Sequence, residues 1–451
     1  MTKILLILIM VNSLHREFQE FTESDSFVTV RGGYFYLYGQ RFRFIGANKT
    51  GIPFFPQEQS DTTFKLARDS LGIKVIRTWL TSKIGTAPLD SIDCMLNSAR
   101  ENGIRLIMTL CNVFWIKRVT DSLGIASKEF FSDSVCKQLY KNWVKKVITH
   151  TNSLNNIPYK KDPYIFSWEL CNEPGNLKPE LDTLINWIEE MSNYIDSLDS
   201  NHLISGGTGA GARHYVYPSQ HPVNYFILFN QPQAINFSEF HFYSFPRLGE
   251  DTTAFLMDTM IHDAHNILSK PIVLEEFGVK RIGGWDKEYW YKFILDEFYL
   301  SDGDGAMFWQ FTYRDDLTPY ELDIEQGISM HPADSTLRRI VKEWADQLGI
   351  EEKLKREKDR FYYLKIVPNP FRWVISISYS IVKAGHIELK VYNVAGRLVK
   401  TLVNGEQKAG TYKIKWDGKG NNGKLMPSGI YFVELKVDDE FTKTRKLLFL
   451  R

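Results

Sequence analysis

The chain has 451 residues, 43% of them hydrophobic and 14% aromatic, more than one ordinary core uses, which predicts a large domain followed by a small one. Its 55 Lys and Arg stand against 54 Asp and Glu, a formal charge of +1, so there is no basic excess to neutralise nucleic-acid phosphates or to hold an anionic membrane surface. The 11 Trp, 22 Tyr and 30 Phe supply flat apolar rings that suit either a packed core or the faces of sugars.

In chain order, Lys3 and the apolar run 4–11 come first. That run is far short of the roughly 20 residues of a spanning helix. It fits a signal peptide over residues 1–13, with Ser13 at the cleavage site, and predicts a secreted or cell-surface protein with no stable membrane span. A hairpin at 27–30 and 34–38 turns on Gly32-Gly33. Strand-like runs follow at 42–46, 73–78, 105–111, 165–170, 202–206, 238–242, 271–276 and 306–311. Between and after them lie helix-period segments, among them 91–102, 132–152, 181–197, 253–268, 287–300 and 336–347. Eight strands alternating with helices predict a (β/α)8 TIM barrel over residues 27–348, with its chemistry at the strand ends.

A charged linker, 349–363, precedes short alternating runs at 374–379, 387–392, 412–416 and 431–437. Pro368-Asn369-Pro370, Asn421-Asn422-Gly423 and Pro427-Ser428-Gly429 punctuate them, which predicts a small Ig-like β-sandwich over residues 364–451. Cys94, Cys111, Cys136 and Cys171 show no metal-like spacing and read as mostly buried thiols, with a disulfide left open.

The fourth strand runs into Asn172-Glu173-Pro174 and the seventh into Glu275-Glu276-Phe277-Gly278. Carboxylates at the ends of apolar strands are costly unless paired, solvated or used. Two of them across a barrel mouth suit glycoside hydrolysis, one protonating the leaving oxygen and the other attacking the anomeric carbon. Strand alternation predicts that Glu275 points away from the pocket.

These residues resemble glycoside hydrolase family 5 of (β/α)8 retaining glycosidases. Arg77, His241-Phe242-Tyr243 and Trp309 match the family's second, sixth and eighth strands. The resemblance implies Glu173 as acid/base and Glu276 as nucleophile. Asn172 is suited to bond the 2-hydroxyl of the attacked sugar, Arg77 and Tyr243 to hold Glu276 ionised and turned, His241 to orient substrate or the acid/base, and Trp309 to floor one sugar ring. Such chemistry needs neither cofactor nor metal.

Asn48, Cys111-Asn112, the Glu-Glu-Phe-Gly strand and the segment 241–246 are most similar to the β-mannanase branch, although Asn112-Val113-Phe114-Trp115 departs from its Asn-Asn-Trp. Asn48, Asn112 and Trp115 join the expected substrate-binding set, and Trp79, Trp115 and Trp285 are candidate cleft walls that read equally as core residues. The expected partner is a β-linked polysaccharide: mannan, glucomannan or a cellulose-type glucan. A cellulase or other β-glucanase, and a non-catalytic glycan-binding barrel, are the alternatives.

Two features read as decoys. Gly206 to Gly211 lacks dinucleotide-binding spacing and predicts a tight loop; His262 and His265 predict a solvated helix face. The C-terminal segment, through Val391-Tyr392-Asn393 and Trp416-Asp417-Gly418, resembles Ig-like type IX secretion sorting domains and flagellar hook-cap modules. That resemblance implies secretion machinery as a second partner.

Overall fold

The structure, a computed structural model, describes residues 26–209, 224–243, 245–279, 286–312, 328–329, 335–354, 363–367, 369–381, 384–408, 410–438 and 441–450. The proposed signal segment and Trp285 lie outside them.

Eight parallel strands form one sheet: β1 (Phe44–Asn48), β2 (Val75–Trp79), β3 (Arg105–Thr109), β4 (Ile165–Glu169), β5 (Leu203–Ser205), β6 (Ser238–Phe242), β7 (Ile272–Phe277) and β8 (Gly305–Phe308). Their order is β5-β4-β3-β2-β1-β8-β7-β6, the nearly closed (β/α)8 barrel expected from the alternation. The seam between β5 and β6 is bridged by Asn236, whose amide donates to Ile204 O at 2.9 Å while its side chain accepts from Ile204 N at 2.7 Å.

The α-helices of six or more residues among the described residues are α1 (Gln57–Leu71), α2 (Leu89–Glu101), α3 (Val113–Leu123), α4 (Ser134–Ile148), α5 (Leu181–Leu198), α6 (Tyr225–Asn230), α7 (Glu250–His262), α8 (Lys287–Leu300) and α9 (Ser335–Leu354). Each long helix buries one stripe, as Leu184, Trp187, Ile188, Met191 and Ile195 of α5 do at near-helical spacing. The segment predicted at 253–268 divides into α7 and a π-helical turn, Asp263–Leu268. Within it His265 departs from the solvated face expected of it. Its Nε2 lies 2.9 Å from the buried Asp304 carboxylate, while His262 stays partly exposed.

The interior of the barrel is apolar at its lower end. Phe35 of the N-terminal hairpin meets Phe44, Phe166 and Phe237 with ring centroids 6.3, 5.1 and 5.4 Å away. Gly305 is required here, because a Cβ would stand 2.3 Å from the Phe44 ring. The hairpin thus plugs the bottom, and the charged network of the cleft lies at the top.

After α9 the chain forms two antiparallel sheets. One is β9 (Tyr363–Val367), β10 (Ile375–Ile381) and β13 (Gly410–Trp416); the other is β12 (Leu398–Gln407), β11 (Gly385–Asn393), β14 (Gly429–Val437) and β15 (Phe441–Phe449). Inward residues such as Ile377, Leu389, Val433 and Trp416 make a separate core, as the alternation predicts. Arg445 and Lys446 of β15 reach Glu297 of α8 at 3.1 Å and Asp251 of α7 at 2.8 Å. Among the described residues no helix is long and apolar enough to cross a membrane.

Candidate active site

The chain leaves β4 through Cys171-Asn172-Glu173 under three constraints. Asn172 N donates to Cys111 O at 3.0 Å, Asn172 bridges to Asn112, and Glu173 N donates to Gly207 O at 2.7 Å. Glu173 adopts φ 47°, the left-handed region that side chains rarely occupy. Of the glycine-rich loop, residues 206–209 are described, and they turn tightly and serve the site. Gly209 has φ +58°, and a Cβ on it would lie 2.8 Å from His241 Nδ1 and 3.1 Å from Glu173 Cγ.

Glu276 receives two strong donors. Arg77 Nη1 reaches its Oε1 at 2.6 Å and the Tyr243 hydroxyl reaches Oε2 at 2.7 Å. Arg77 is fully buried and shared: it holds Glu169 bidentately at 2.7 and 2.8 Å and Asn172 Oδ1 at 2.7 Å. Burial and the charge of Glu276 push the Tyr243 hydroxyl well above its usual range, so it remains a donor.

His241 Nδ1 lies 2.9 Å from Glu173 Oε1 and 3.5 Å from Glu276 Oε2. Burial opposes charge on both partners. Hydrogen bonding and charge from His241, helped by Arg77 and Asn176, nonetheless bring Glu173 down to about 2. Against its own burial, Glu276, Glu173 and Glu275 raise His241 well above the ordinary histidine range. Both shifts favour the charged form of the pair, an imidazolium against a carboxylate. One oxygen each of Glu173 and Glu276, with a nitrogen of His241, lie within 4.8 Å of one another.

Trp309 is half-buried at the end of β8, edge-on to Trp79 with centroids 5.5 Å apart, and its peptide bond to Gln310 is cis. Other predicted positions do different work. Asn48 is fully buried; it donates to Glu275 O at 2.8 Å and accepts from Arg77 at 3.1 Å, so it positions the arginine instead of reaching a ligand. Arg77, likewise sealed, acts through Glu276 and Asn172. Asn112 caps α3, accepting from Trp115 N at 2.9 Å and donating to Thr81 O at 2.8 Å. Trp115 packs in the core against Phe130 at 5.9 Å, away from the cleft wall expected of it. All four cysteines are free thiols, three of them buried.

Glu275 also departs from expectation, because it points into the barrel alongside Glu276. The register of β7 against β8 shifts between Leu274 and Phe277, and that of β6 against β7 between Phe240 and His241. An irregularity there breaks strict alternation. Glu276 is nonetheless the one at the cleft, and Glu275 is fully buried below it.

Glu169, Glu239 and the Thr208-Gly209 amides escaped the sequence reading. The available signal was a glutamate inside each of two apolar strands. The clusters Glu173–His241–Glu276 and Glu239–His241–Glu275 have the spacing to hold a metal ion, but Arg77, Tyr243 and loop N–H groups already occupy several of these oxygens.

A family model for GH family 5 beta-mannosidase-like proteins matches residues 107–301, and one for the FlgD Ig-like domain matches residues 380–440. Mannan endo-1,4-beta-mannosidase 8 of Oryza sativa subsp. japonica is 33% identical over 290 residues, which cover 53% of this chain and 77% of that protein. The chain belongs to glycoside hydrolase family 5. A second rice relative, mannan endo-1,4-beta-mannosidase 7, is 32% identical over 62% of this chain and 87% of its own length. Among solved structures, the family 5 barrel is similar to the endo-1,4-beta-mannanase of Rhizomucor miehei, with TM-score 0.62, 25% identity, and coverage of 72% of this chain and 99% of that one. An endo-beta-1,4-mannanase from Thermotoga petrophila shares the fold over 91% of this chain and 98% of its own, with TM-score 0.63 and 22% identity. The protein is a glycoside hydrolase.

Proposed function

We propose that the enzyme is a retaining endo-1,4-β-mannanase, with Glu276 as nucleophile and Glu173 as acid/base. The observation that carries this reading is the carboxylate pair. The two carboxylates approach within 4.8 Å through one oxygen each, a close approach of the kind the roughly 5–5.5 Å carboxyl separation of retaining enzymes requires.

In the first step a Glu276 oxygen attacks the anomeric carbon while Glu173 protonates the departing glycosidic oxygen. The proton comes from the His241–Glu173 pair across the 2.9 Å bond, once a bound sugar displaces water from Glu173. Arg77 and Tyr243 keep the attacking carboxylate turned. In the second step Glu173 takes a proton from water, which attacks the same carbon and releases Glu276. Asn172, its Oδ1 engaged by Arg77, offers its NH2 to the sugar 2-hydroxyl. Trp309 provides the floor.

Mannan as substrate and internal cleavage rest on the names of the relatives and the mannanase-like strand ends. A hydrolysis panel of mannan, glucomannan, carboxymethylcellulose and xylan tests both. Mannan and glucomannan should yield short oligosaccharides; preferential cleavage of carboxymethylcellulose would make the enzyme a glucanase, and release of mannose alone would make it exo-acting.

Residues 1–13 act, in this reading, as a signal peptide, and residues 364–451 as a type IX sorting domain that delivers the enzyme outside the cell. The FlgD Ig-like match supports the Ig-like fold that such a domain would use. In a bacterium with that machinery, deletion of 364–451 should leave active enzyme in the periplasm. Normal export of the truncated chain would contradict the sorting role.

A further inference from the structure

Below the two cleft carboxylates lies a second tier of acids that the proposed reaction does not use. Glu169 of β4, Glu239 of β6 and Glu275 of β7 are all fully buried. Glu239 is satisfied by the loop: Thr208 N at 2.7 Å, Thr208 Oγ1 at 2.9 Å and Gly209 N at 3.2 Å. Glu169 is satisfied by both arms of Arg77 and by Thr109 Oγ1 at 3.0 Å.

Glu275 differs from both. Its Oε2 lies 3.3 Å from His241 Nε2 and 3.4 Å from Arg77 Nε, whose N–H is already donated to Glu169 at 2.8 Å. Its Oε1 is buried and has no donor among the described residues. Arg77 Nε thus stands against both acids, 2.8 Å from Glu169 Oε2 and 3.4 Å from Glu275 Oε2, and its single N–H cannot serve two carboxylates fully. Two ionised carboxylates crowded against one N–H in a buried interior repel strongly, and a single proton relieves that repulsion.

We propose that Glu169 and Glu275 share one proton and that Glu275 is a positioning residue, its Oε1–H donating to Glu169 while Oε2 accepts from His241 Nε2–H. This arrangement fixes the imidazole with Nδ1 toward Glu173. A neutral Glu275 also leaves the charge of His241 to the cleft acids, where the reaction needs it. The charged and titratable groups facing Glu275 are Arg77 from β2, Glu169 from β4, and Glu239 and His241 from β6. Burial is the largest influence on Glu275 and raises it well above the usual carboxylate range. Glu169 and Glu239 add to that, against the opposing pull of Arg77 and His241.

Infrared difference spectroscopy of the full chain tests this without reference to turnover. At pH 8 the wild type should show a carbonyl stretch of a protonated carboxyl that shifts in D2O and disappears in E275Q. Absence of any such band in the wild type, which needs no variant to fold, overturns the proposal, as does its persistence in E275Q.

A second arm rests on Glu173 being the acid/base. Because an amide resembles a neutral carboxyl, E275Q should move the apparent pKa of the alkaline limb of kcat/KM by less than about half a unit. A downward shift of about one unit or more would mean that Glu275 is an anion supporting His241. Should Glu173 prove not to be the acid/base, only this arm falls, and the infrared result decides the shared proton by itself.

Discussion

At the lower end of the barrel Phe35, Phe44, Phe166 and Phe237 meet largely edge to face with no polar group to satisfy, whereas at the upper end Arg77 alone touches Glu169, Glu276, Asn48 and Asn172. The two ends share the same strands, a few residues apart. Apolar packing is non-directional and tolerates a change of partner, but a buried charge network fails when one member is left without its counterpart. Stability should therefore be read at the bottom and activity at the top.

The largest expected effect is at the top. Glu276→Ala should lower kcat by on the order of 10⁴-fold or more while mannooligosaccharide binding, measured by calorimetry, largely persists. An active Glu276→Ala enzyme would transfer the nucleophile role elsewhere. Phe166→Ala should do the converse, lowering unfolding free energy by about 3–5 kcal/mol in denaturant titration with little change in kcat per folded molecule. If it lowered kcat in the folded fraction as well, the two ends would be coupled.

Tyr243→Phe removes one donor to Glu276. A hydrogen bond to a charged group contributes about 1.5–3 kcal/mol, so kcat/KM should fall about 10- to 100-fold, and a fall of less than about threefold would remove Tyr243 from the support of Glu276.

The smallest effect concerns pH. His241 is raised above its unfolded value, so its contribution to stability is complete below the ordinary histidine range and is lost as pH rises through the raised value. Glu173 is depressed to about 2, so its contribution is present above the ordinary carboxylate range and is lost as pH falls toward that value. Melting temperature against pH should be highest between these limits. The alkaline decline should flatten in His241→Asn, and an unchanged decline would remove His241 from the account.

The barrel was legible because each strand is a short apolar run and each long helix carries a periodic stripe; Ser238–Phe242 and Lys287–Leu300 fall on the predicted bounds. Helices α1 and α3 were not singled out. The first is rich in polar residues, and the second begins in the Asn112 to Trp115 run, which reads equally as a cleft loop. At the site, the strand-end residues Arg77, Asn172, Glu173, His241, Tyr243 and Glu276 lie together, while Asn112 and Trp115 make local packing and capping contacts. Asn48 and Arg77 are sealed behind the pocket because the cleft carboxylates need support from below. Trp115 was misplaced because nothing in sequence separates a core tryptophan from a cleft one. The inward turn of Glu275 depends on a register shift between neighbouring strands, a property of the sheet that no single strand's pattern contains.

The most direct test of the two-carboxylate assignment is trapping with a 2-deoxy-2-fluoro mannosyl donor, followed by peptide mass spectrometry. A glycosyl adduct on Glu276, accumulating with loss of activity, is the expected result. An adduct on Glu275 or Glu173, or inverted anomeric product with no adduct at all, would contradict it.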